Sequence, residues 1–459
     1  MSRDSSPNRV RLPTKILHEL GLLSLWKSSL DVKLLCAQRF VRLFAYGGST
    51  LILASYLSSL NISDAQIGLF MTLTLVGDVV ISFFLTLFAD AMGRKAVLLL
   101  GSALMVGSGV IFAVFDNFWI LLAAAVLGVI SQAVEESTLA HLTPHESLSD
   151  IFAWYSLIGT AGTALGMMAC GWAINLLQVK RGWQFIAACQ VIFFAYAAIG
   201  ALKCILAAAL SHHVEAEKQK PAERQDQQGE NGETQPLLGE RTRGEQPPKK
   251  TSFFSFLGDR DLVALVVRLF ILFALDSFAS GLATLSWMTY FFKRKFSLPE
   301  GELGSIFFTT SIISAASMLV ASSIAKRIGN VKTMVFTHLP SAICLALIPV
   351  PNILPLALTF LVLRACTQNM DVAPRSAFLA AALPSDKRTA IMGAVNVVKT
   401  GSQSLGPLIT GVLSNHGLFG LSFTLAGILK AVYDIGMLLS FAGTEPVRRP
   451  RSAPDSESA

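Results

Sequence analysis

Residues 211–260 read SHHVEAEKQKPAERQDQQGENGETQPLLGERTRGEQPPKKTSFFSFLGDR. This stretch is rich in Glu, Gln, Lys, Pro and Gly and poor in large apolar residues. It cannot bury enough surface to fold by itself, so a disordered linker is expected. What lies on either side decides the fold. Apolar segments run almost unbroken from Leu34 to Leu210, and again from Leu262 to Phe441. Each series divides into six segments of roughly 20 to 30 residues, and about 20 suffice for a helix to cross a bilayer. The expected fold is an all-α membrane protein, with twelve transmembrane helices in two pseudo-symmetric six-helix bundles.

Composition agrees. Of 459 residues, 53% are hydrophobic and 15% charged, against roughly 25% charged in a soluble domain. The net charge of +7 could suggest nucleic acid. However, the Lys and Arg lie scattered in short turns without interleaved aromatics, so no nucleic-acid partner is expected. Cys36, Cys170, Cys189, Cys204, Cys344 and Cys366 all fall in apolar segments and form no CxxC pair. They read as small packing residues, and no metal site is expected. The first apolar segment is too long for a signal h-region, so span 1 is expected to act as the signal anchor.

The spans are placed at 34–60, 66–89, 95–115, 118–142, 150–177, 184–210, 262–292, 303–325, 332–350, 353–383, 388–414 and 418–442. This divides the chain into a 1–33 segment, a 34–210 bundle, a 211–261 linker, a 262–442 bundle and a 443–459 tail. The turn Asn61–Asp64 and the turn Phe115–Asn117 carry acid. Alternate turns carry base: Arg94 and Lys95; Lys326, Arg327 and Lys332; Lys387 and Arg388. Positive turns stay cytosolic, so both termini and the linker are expected in the cytosol. Lys180 and Arg181, together with Lys293, Arg294 and Lys295, break this pattern.

The halves resemble each other. Val41–Phe44 of span 1 reads VRLF, and so does Val267–Phe270 of span 7. Ser137–Ala140 ahead of Pro144 in span 4 parallels Ser376–Ala380 ahead of Pro384 in span 10. Between spans 2 and 3 the chain reads Thr86-Leu-Phe-Ala-Asp90-Ala-Met-Gly93-Arg94-Lys95. A glycine permits the sharp turn. An Asp at a helix end beside an Arg can pair and bond to a neighbouring helix end, forming a latch that one conformation closes and another releases. Asp90, Gly93, Arg94 and Lys95 are therefore the expected conformational latch.

This loop resembles the signature of the major facilitator superfamily. Thr86 stands where that signature has Gly, and Ala91 where it has a basic residue. A degenerate copy runs from Ser322 to Asn330 between spans 8 and 9. Leu275–Gly281 and Gln368–Arg375 are similar to segments of a microbial branch of the superfamily, known in bacteria and fungi, whose transporters mostly lack an assigned substrate. The resemblance implies alternating access between two six-helix halves. It also leads us to expect a Pro- and Gly-rich stretch with an acidic residue in span 4. Here Gly128-Val-Ile-Ser131 runs directly into Gln132-Ala-Val-Glu135-Glu136. Asn117 to Pro144 is 27 residues, whereas Asn352 to Pro384 is 32. Span 4 therefore reads as shortened.

A charge at mid-bilayer depth is costly and is a functional-site candidate. Arg42, Asp78, Glu135, Asp276, Arg364, Asp371 and Lys399 are the substrate- or proton-coupling candidates. Arg42 and Asp78 could neutralise each other. Glu135 and Glu136 point about 100° apart on a helix, so one is expected near the headgroups. Lys430 and Asp434, four apart in span 12, are expected to pair along their own helix. Glycines Gly159, Gly162 and Gly166 of span 5, and Gly401, Gly406 and Gly411 of span 11, suit close helix approach.

No GxxxxGK, HExxH or GxSxG motif occurs in the sequence, so neither an enzyme with catalytic residues nor a cofactor is expected. The expected function is secondary active transport of a small solute across a lipid bilayer, possible with proton coupling, by a monomer. The alternative is a non-transporting receptor or scaffold on the same fold, or an inactive shortened form. Arg364 and Lys399 would favour an anionic or zwitterionic cargo. Glu233-Thr-Gln-Pro-Leu237-Leu238 resembles an acidic dileucine signal for a sorting adaptor. Such a signal would direct the protein to a vacuolar or lysosomal membrane rather than the plasma membrane expected otherwise.

Overall fold

The computed structural model describes residues 22–128, 132–144, 147–215, 260–384 and 387–441, and every regular element among them is helical. The Asp90 side chain, most of the linker with Leu237 and Leu238, and the tail from 442 onward lie outside the described set. A short helix, Leu22–Lys27, precedes the spans. Spans 1 to 3 are Leu30–Ser59, Asp64–Met92 and Arg94–Val114. In span 4 the described helices are Phe118–Gly128 and Gln132–Leu142. Spans 5 and 6 are Leu148–Arg181 and Phe185–Ala208. Span 7 is split into Arg260–Leu282 and Leu285–Phe296. Spans 8 and 9 are Glu300–Ile328 and Asn330–Leu347. Span 10 is split into Leu354–Thr367 and Val372–Ala382. Spans 11 and 12 are Arg388–Asn415 and Phe419–Phe441.

Local chemistry sets the ends. Ser63 and Gln66 form a reciprocal capping box that starts span 2, each satisfying a backbone N–H the helix cannot use. Gly93 and Gly329, at φ 90° and 91°, turn the chain between spans 2 and 3 and between spans 8 and 9. That conformation suits glycine, which has no Cβ to clash. Their shared angle supports the duplication seen in the sequence.

Spans 7 and 10 are broken where unbroken helices were expected. The inner helices of spans 4 and 10 have 11 residues each, so the shortening of span 4 falls before Gln132, and the inner helix keeps its register. Span 7 breaks at Ala283–Thr284 and continues to Phe296, which puts the basic triplet Lys293–Lys295 on its last turn.

Packing repeats in the two halves. Span 1 packs on 5 as 7 packs on 11, span 3 on 6 as 9 on 12, and span 1 on 6 as 7 on 12. Between the halves, span 2 meets 11 and span 5 meets 8. At the latter crossing a Cβ on Gly171 would lie 2.2 Å from the Glu300 carbonyl oxygen, so only glycine allows the approach. Of the expected close-approach glycines, Gly159, Gly162 and Gly166 lie against span 1 and Gly406 against Gly281 within the halves; Gly411 meets Asp64 and Gly68 across the halves, and a Cβ on Gly401 would meet nothing within 4 Å.

The core is distributed unevenly. At the face away from the linker, one apolar cluster joins both halves, with Tyr56, Phe70, Phe112 and Phe193 from the first and Trp287, Phe291, Phe419 and Phe423 from the second. Toward the linker face there are two separate clusters. One is built on Leu35, Val97, Leu139 and Tyr155, the other on Phe273, Val335, Phe378 and Met437. Span 2 follows the same gradient: Ile67, Gly68, Phe70, Met71 and Thr72 are buried, and no residue from Leu73 to Phe84 is. The interface is tight at the far face and loosens toward the linker.

Candidate functional site

Each half is organised around one charged side chain on an inner helix, Gln132–Leu142 of span 4 or Val372–Ala382 of span 10. In the first half this is Glu135, whose side chain is fully buried. Arg42 of span 1 donates to it at 3.2 Å, the Tyr155 hydroxyl of span 5 at 3.0 Å, and Lys203 of span 6 lies at 2.8 Å. Four spans thus converge on one carboxylate. A carboxylate buried without partners would cost several kcal/mol, and these three groups offset that cost. Glu136, on the neighbouring face, is more exposed and lies 3.8 Å from Arg39.

Two sequence expectations are corrected here. Arg42 pairs with Glu135 and not with Asp78. Glu135 faces span 1 as part of an assembled donor set, whereas Asp78 accepts from Ser82 one turn along its own helix, at 3.2 Å. Lys203 and Tyr155 were not among the expected site residues. The charge-in-a-span argument that singles out Asp276 applies equally to Lys203, but span 6 ends soon after it, where a long lysine can reach an interface.

In the second half the central group is Arg375. Arg375 and Glu135 occupy the same register, each nine residues before its proline, Pro384 and Pro144. The sign is inverted. Arg375 pairs with Asp371 on its own helix and lies 3.3 Å from Asp276 of span 7. Lys430 of span 12 donates to Asp276 at 2.7 Å and to Ser280 at 2.8 Å. The expected Lys430–Asp434 pair is therefore absent. Asp434 instead faces His338 of span 9, whose Nδ1 lies 3.0 Å from both carboxylate oxygens. Four-residue spacing allows a pair along one helix, but here both side chains reach different neighbouring spans.

These groups line a cavity of about 240 Å³ bounded by Asp276, Ser280, His338, Arg364, Asp371 and Lys430, among others. On its wall Gln368 and Asn369, in the break of span 10, both donate to Ser314 of span 8, at 3.2 and 2.7 Å. The Arg364 guanidinium, near the end of the outer helix, has no hydrogen bond or ion pair among the described residues. Lys399 of span 11 lies 5.8 Å from the Phe273 ring centre. Of the seven expected coupling candidates, Asp276, Arg364 and Asp371 share this cavity, and Lys399 is not among the residues that bound it. Arg42 and Glu135 meet in the other half, and Asp78 stands apart from both groups.

Two further networks tie helix ends. At the far face Asp64 of span 2 accepts from Arg294 of span 7 at 2.6 Å, from Ser414 of span 11 at 2.6 Å and from Tyr290 at 3.2 Å. Lys293 lies 2.5 Å from Glu300. Two of the basic triplet that broke the charge pattern thus have carboxylate partners, Lys295 donates to the Pro349 carbonyl, and a lock between the halves uses Arg294. At the linker face Glu215 accepts from the backbone N–H groups of Arg94 and Lys95, at 2.7 and 3.3 Å. A carboxylate at a helix N-terminus complements the partial positive charge there. Lys95 donates to the Leu210 carbonyl at 2.6 Å. Gly93, Arg94 and Lys95 are therefore joined to the end of span 6 through Glu215, a residue the loop pattern does not reveal.

Known proteins share this architecture. An uncharacterized membrane protein of Saccharomyces cerevisiae, YJR124C, is 35% identical over 437 residues, covering 91% of this chain and 95% of its own. The nucleoside transporter NupG matches with TM-score 0.65 at 13% identity, over 90% of this chain and 99% of its own. A bacterial homolog of the human lysosomal transporter Spinster, inward-facing and occupied, matches with TM-score 0.67 at 14% identity, over 89% and 95%. At such identities the two structures speak for the fold. The Major Facilitator Superfamily model matches residues 35–293 and again 269–458, and with the duplicated packing and the full-length yeast relative this places the chain in the Major Facilitator Superfamily.

Proposed function

We propose that this protein is a secondary transporter that moves a small solute by alternating access of its two halves, with the linker face in the cytosol. The observation that carries the reading is the division of the core. One apolar cluster binds both halves at the far face, and two separate clusters lie toward the linker. Rocking the halves about the 2–11 and 5–8 crossings would exchange the Asp64 lock for contacts at the linker face. Gly93, Arg94, Lys95 and Asp90 would then act together with Glu215 as the opposing latch.

Coupling to protons needs a carboxylate that changes charge during the cycle. Asp78 is the candidate whose side chain, among the described residues, accepts from a hydroxyl alone, that of Ser82. Asp276 and Asp371 are compensated by Lys430 and Arg375 and would serve through exchange of those partners. The inner helix of span 4 keeps Glu135 in register, which favours an active form over a receptor or scaffold. The membrane would be the plasma membrane, or a vacuolar or lysosomal one if the Leu237–Leu238 segment is read by an adaptor.

The test is flux. Purified protein in proteoliposomes, offered a panel of labelled solutes with and without an imposed pH gradient, is expected to accumulate at least one of them. Binding of solutes without flux in either direction would refute transport and support the receptor alternative.

A further inference from the structure

We infer that Arg364 is the receiving group for the oxyanion of a small organic acid or phosphate ester, so that the cargo is anionic. The inference rests on the transport reading for its purpose, but its geometry is independent of flux.

The first line of argument is charge compensation. Arg375 has Asp371 and Asp276, Lys430 has Asp276, and His338 has Asp434. Arg364 borders the same cavity without any described acidic partner or hydrogen bond. Leaving a guanidinium unpaired within a span is costly, and evolution of a packed helix offers cheaper side chains for that place. A ligand carboxylate or phosphate would supply the missing charge. The planar, forked guanidinium matches both in a two-bond geometry that a lysine cannot reproduce.

The second line concerns the alternative structural role. Arg364 stands in the last turn of the Leu354–Thr367 helix, where a cation can stabilise the helix end by donating to its terminal carbonyls. No such bond is made among the described residues. The Arg364 carbonyl instead accepts from the Gln368 backbone N–H at 2.9 Å, so the helix end is closed by its own backbone. The guanidinium is left for the cavity.

The third line is depth and neighbourhood. Arg364 lies ten residues from the start of its helix, about 15 Å along the axis, close to the middle of a bilayer with a hydrocarbon core of about 30 Å. Gln368 and Asn369, one turn on, both donate to Ser314 and line the same wall. Each amide uses one N–H on Ser314, so its second N–H and its carbonyl oxygen are left to hydrogen-bond the remainder of a small solute.

The experiment compares purified wild-type protein with Arg364→Gln and Arg364→Lys in thermal-shift titrations at constant ionic strength. The probes are succinate, citrate and benzoate as carboxylates, glycerol 3-phosphate and inorganic phosphate as phosphates, and choline, glucose and adenosine as controls. At least one anion is expected to stabilise the wild type, and its affinity should fall at least tenfold in Arg364→Gln, with partial retention in Arg364→Lys. Which arm responds identifies carboxylate or phosphate. If Arg364→Gln fails to fold, the wild-type to Arg364→Lys ratio for the same anion provides the reading. The absence of any anion-dependent difference between wild type and variants overturns the inference, whether or not choline, glucose or adenosine binds. Flux of a neutral or cationic solute unaffected by Arg364→Gln would overturn it while leaving transport intact. Anion binding without flux would do the reverse.

Discussion

The far-face lock offers a quantitative test of alternating access. Asp64→Asn keeps the shape of the side chain but removes the charge facing Arg294, and its single carbonyl oxygen can replace only one of the two oxygens that accept from Ser414 (Oδ2) and Tyr290 (Oδ1). The Arg294 side chain is 52% accessible, so the ion pair itself contributes only about 0.5–1 kcal/mol. Hydrogen bonds to a charged acceptor are stronger than neutral ones by roughly 0.5–1 kcal/mol each, and two are weakened. The sum is about 1.5–3 kcal/mol, and all of it stabilises the state in which spans 2, 7 and 11 meet. The equilibrium should therefore move roughly 10- to 150-fold toward opening at the far face. Spin labels at Asp116 and His416, both exposed at that face on opposite halves, would report it by pulsed dipolar spectroscopy. A longer distance should gain population in Asp64→Asn and in Arg294→Gln. The double variant should add little to the larger single effect, since both remove one interaction. An unchanged distance distribution with reduced thermal stability would refute the lock and leave a purely structural pair.

Two other outcomes follow from the same geometry. Glu215→Gln should weaken the cap on span 3 by about 0.5–1 kcal/mol and lower the rate of solute exchange while membrane abundance stays near wild type, as measured by exchange in proteoliposomes and by surface or membrane quantification; an equal loss of abundance would make the residue a folding determinant. Asp276→Asn removes the carboxylate between Lys430 and Arg375, so accumulation driven by a pH gradient should fall while solute exchange persists; full gradient-driven accumulation would exclude Asp276 from coupling.

Much of the architecture was legible because a bilayer imposes a simple rule: a crossing helix needs about 20 apolar residues, and the linker interrupts them only once. The Gly93 turn was legible for a similarly local reason. The breaks in spans 7 and 10 were not, since a run such as Leu262–Phe292 stays apolar through Ala283–Thr284. Pairing was harder still. Arg42 has a nearby carboxylate in sequence order at Asp78, and Lys430 has one at Asp434, yet both choose partners on other spans. Sequence spacing describes one helix at a time, while the partner depends on how the helices are rotated against each other. His338 shows the same limit. It reads as one polar residue in span 9 until Asp434 is placed against it.

The inverted pair of central charges connects fold to function. Duplication gave both halves the same register before Pro144 and Pro384, but the first half placed a carboxylate there and the second a guanidinium. In the first half Arg42, Lys203 and Tyr155 enclose Glu135, which is fully buried, and the group ties spans 1, 4, 5 and 6 together. In the second, Arg375 and its partners border a cavity. The first cluster is therefore expected to be mainly structural and the second mainly functional. Glu135→Gln removes the carboxylate shared by Arg42 and Lys203. Breaking a buried pair by removing one partner costs about 3–5 kcal/mol, so a marked loss of thermal stability is expected. Adding Lys203→Met should recover part of it, because the deeper cation then no longer needs compensation. Solute affinity in the surviving protein should change less than in Arg364→Gln. Wild-type stability in Glu135→Gln, combined with lost solute affinity, would reverse the assignment and place the binding site in the first half.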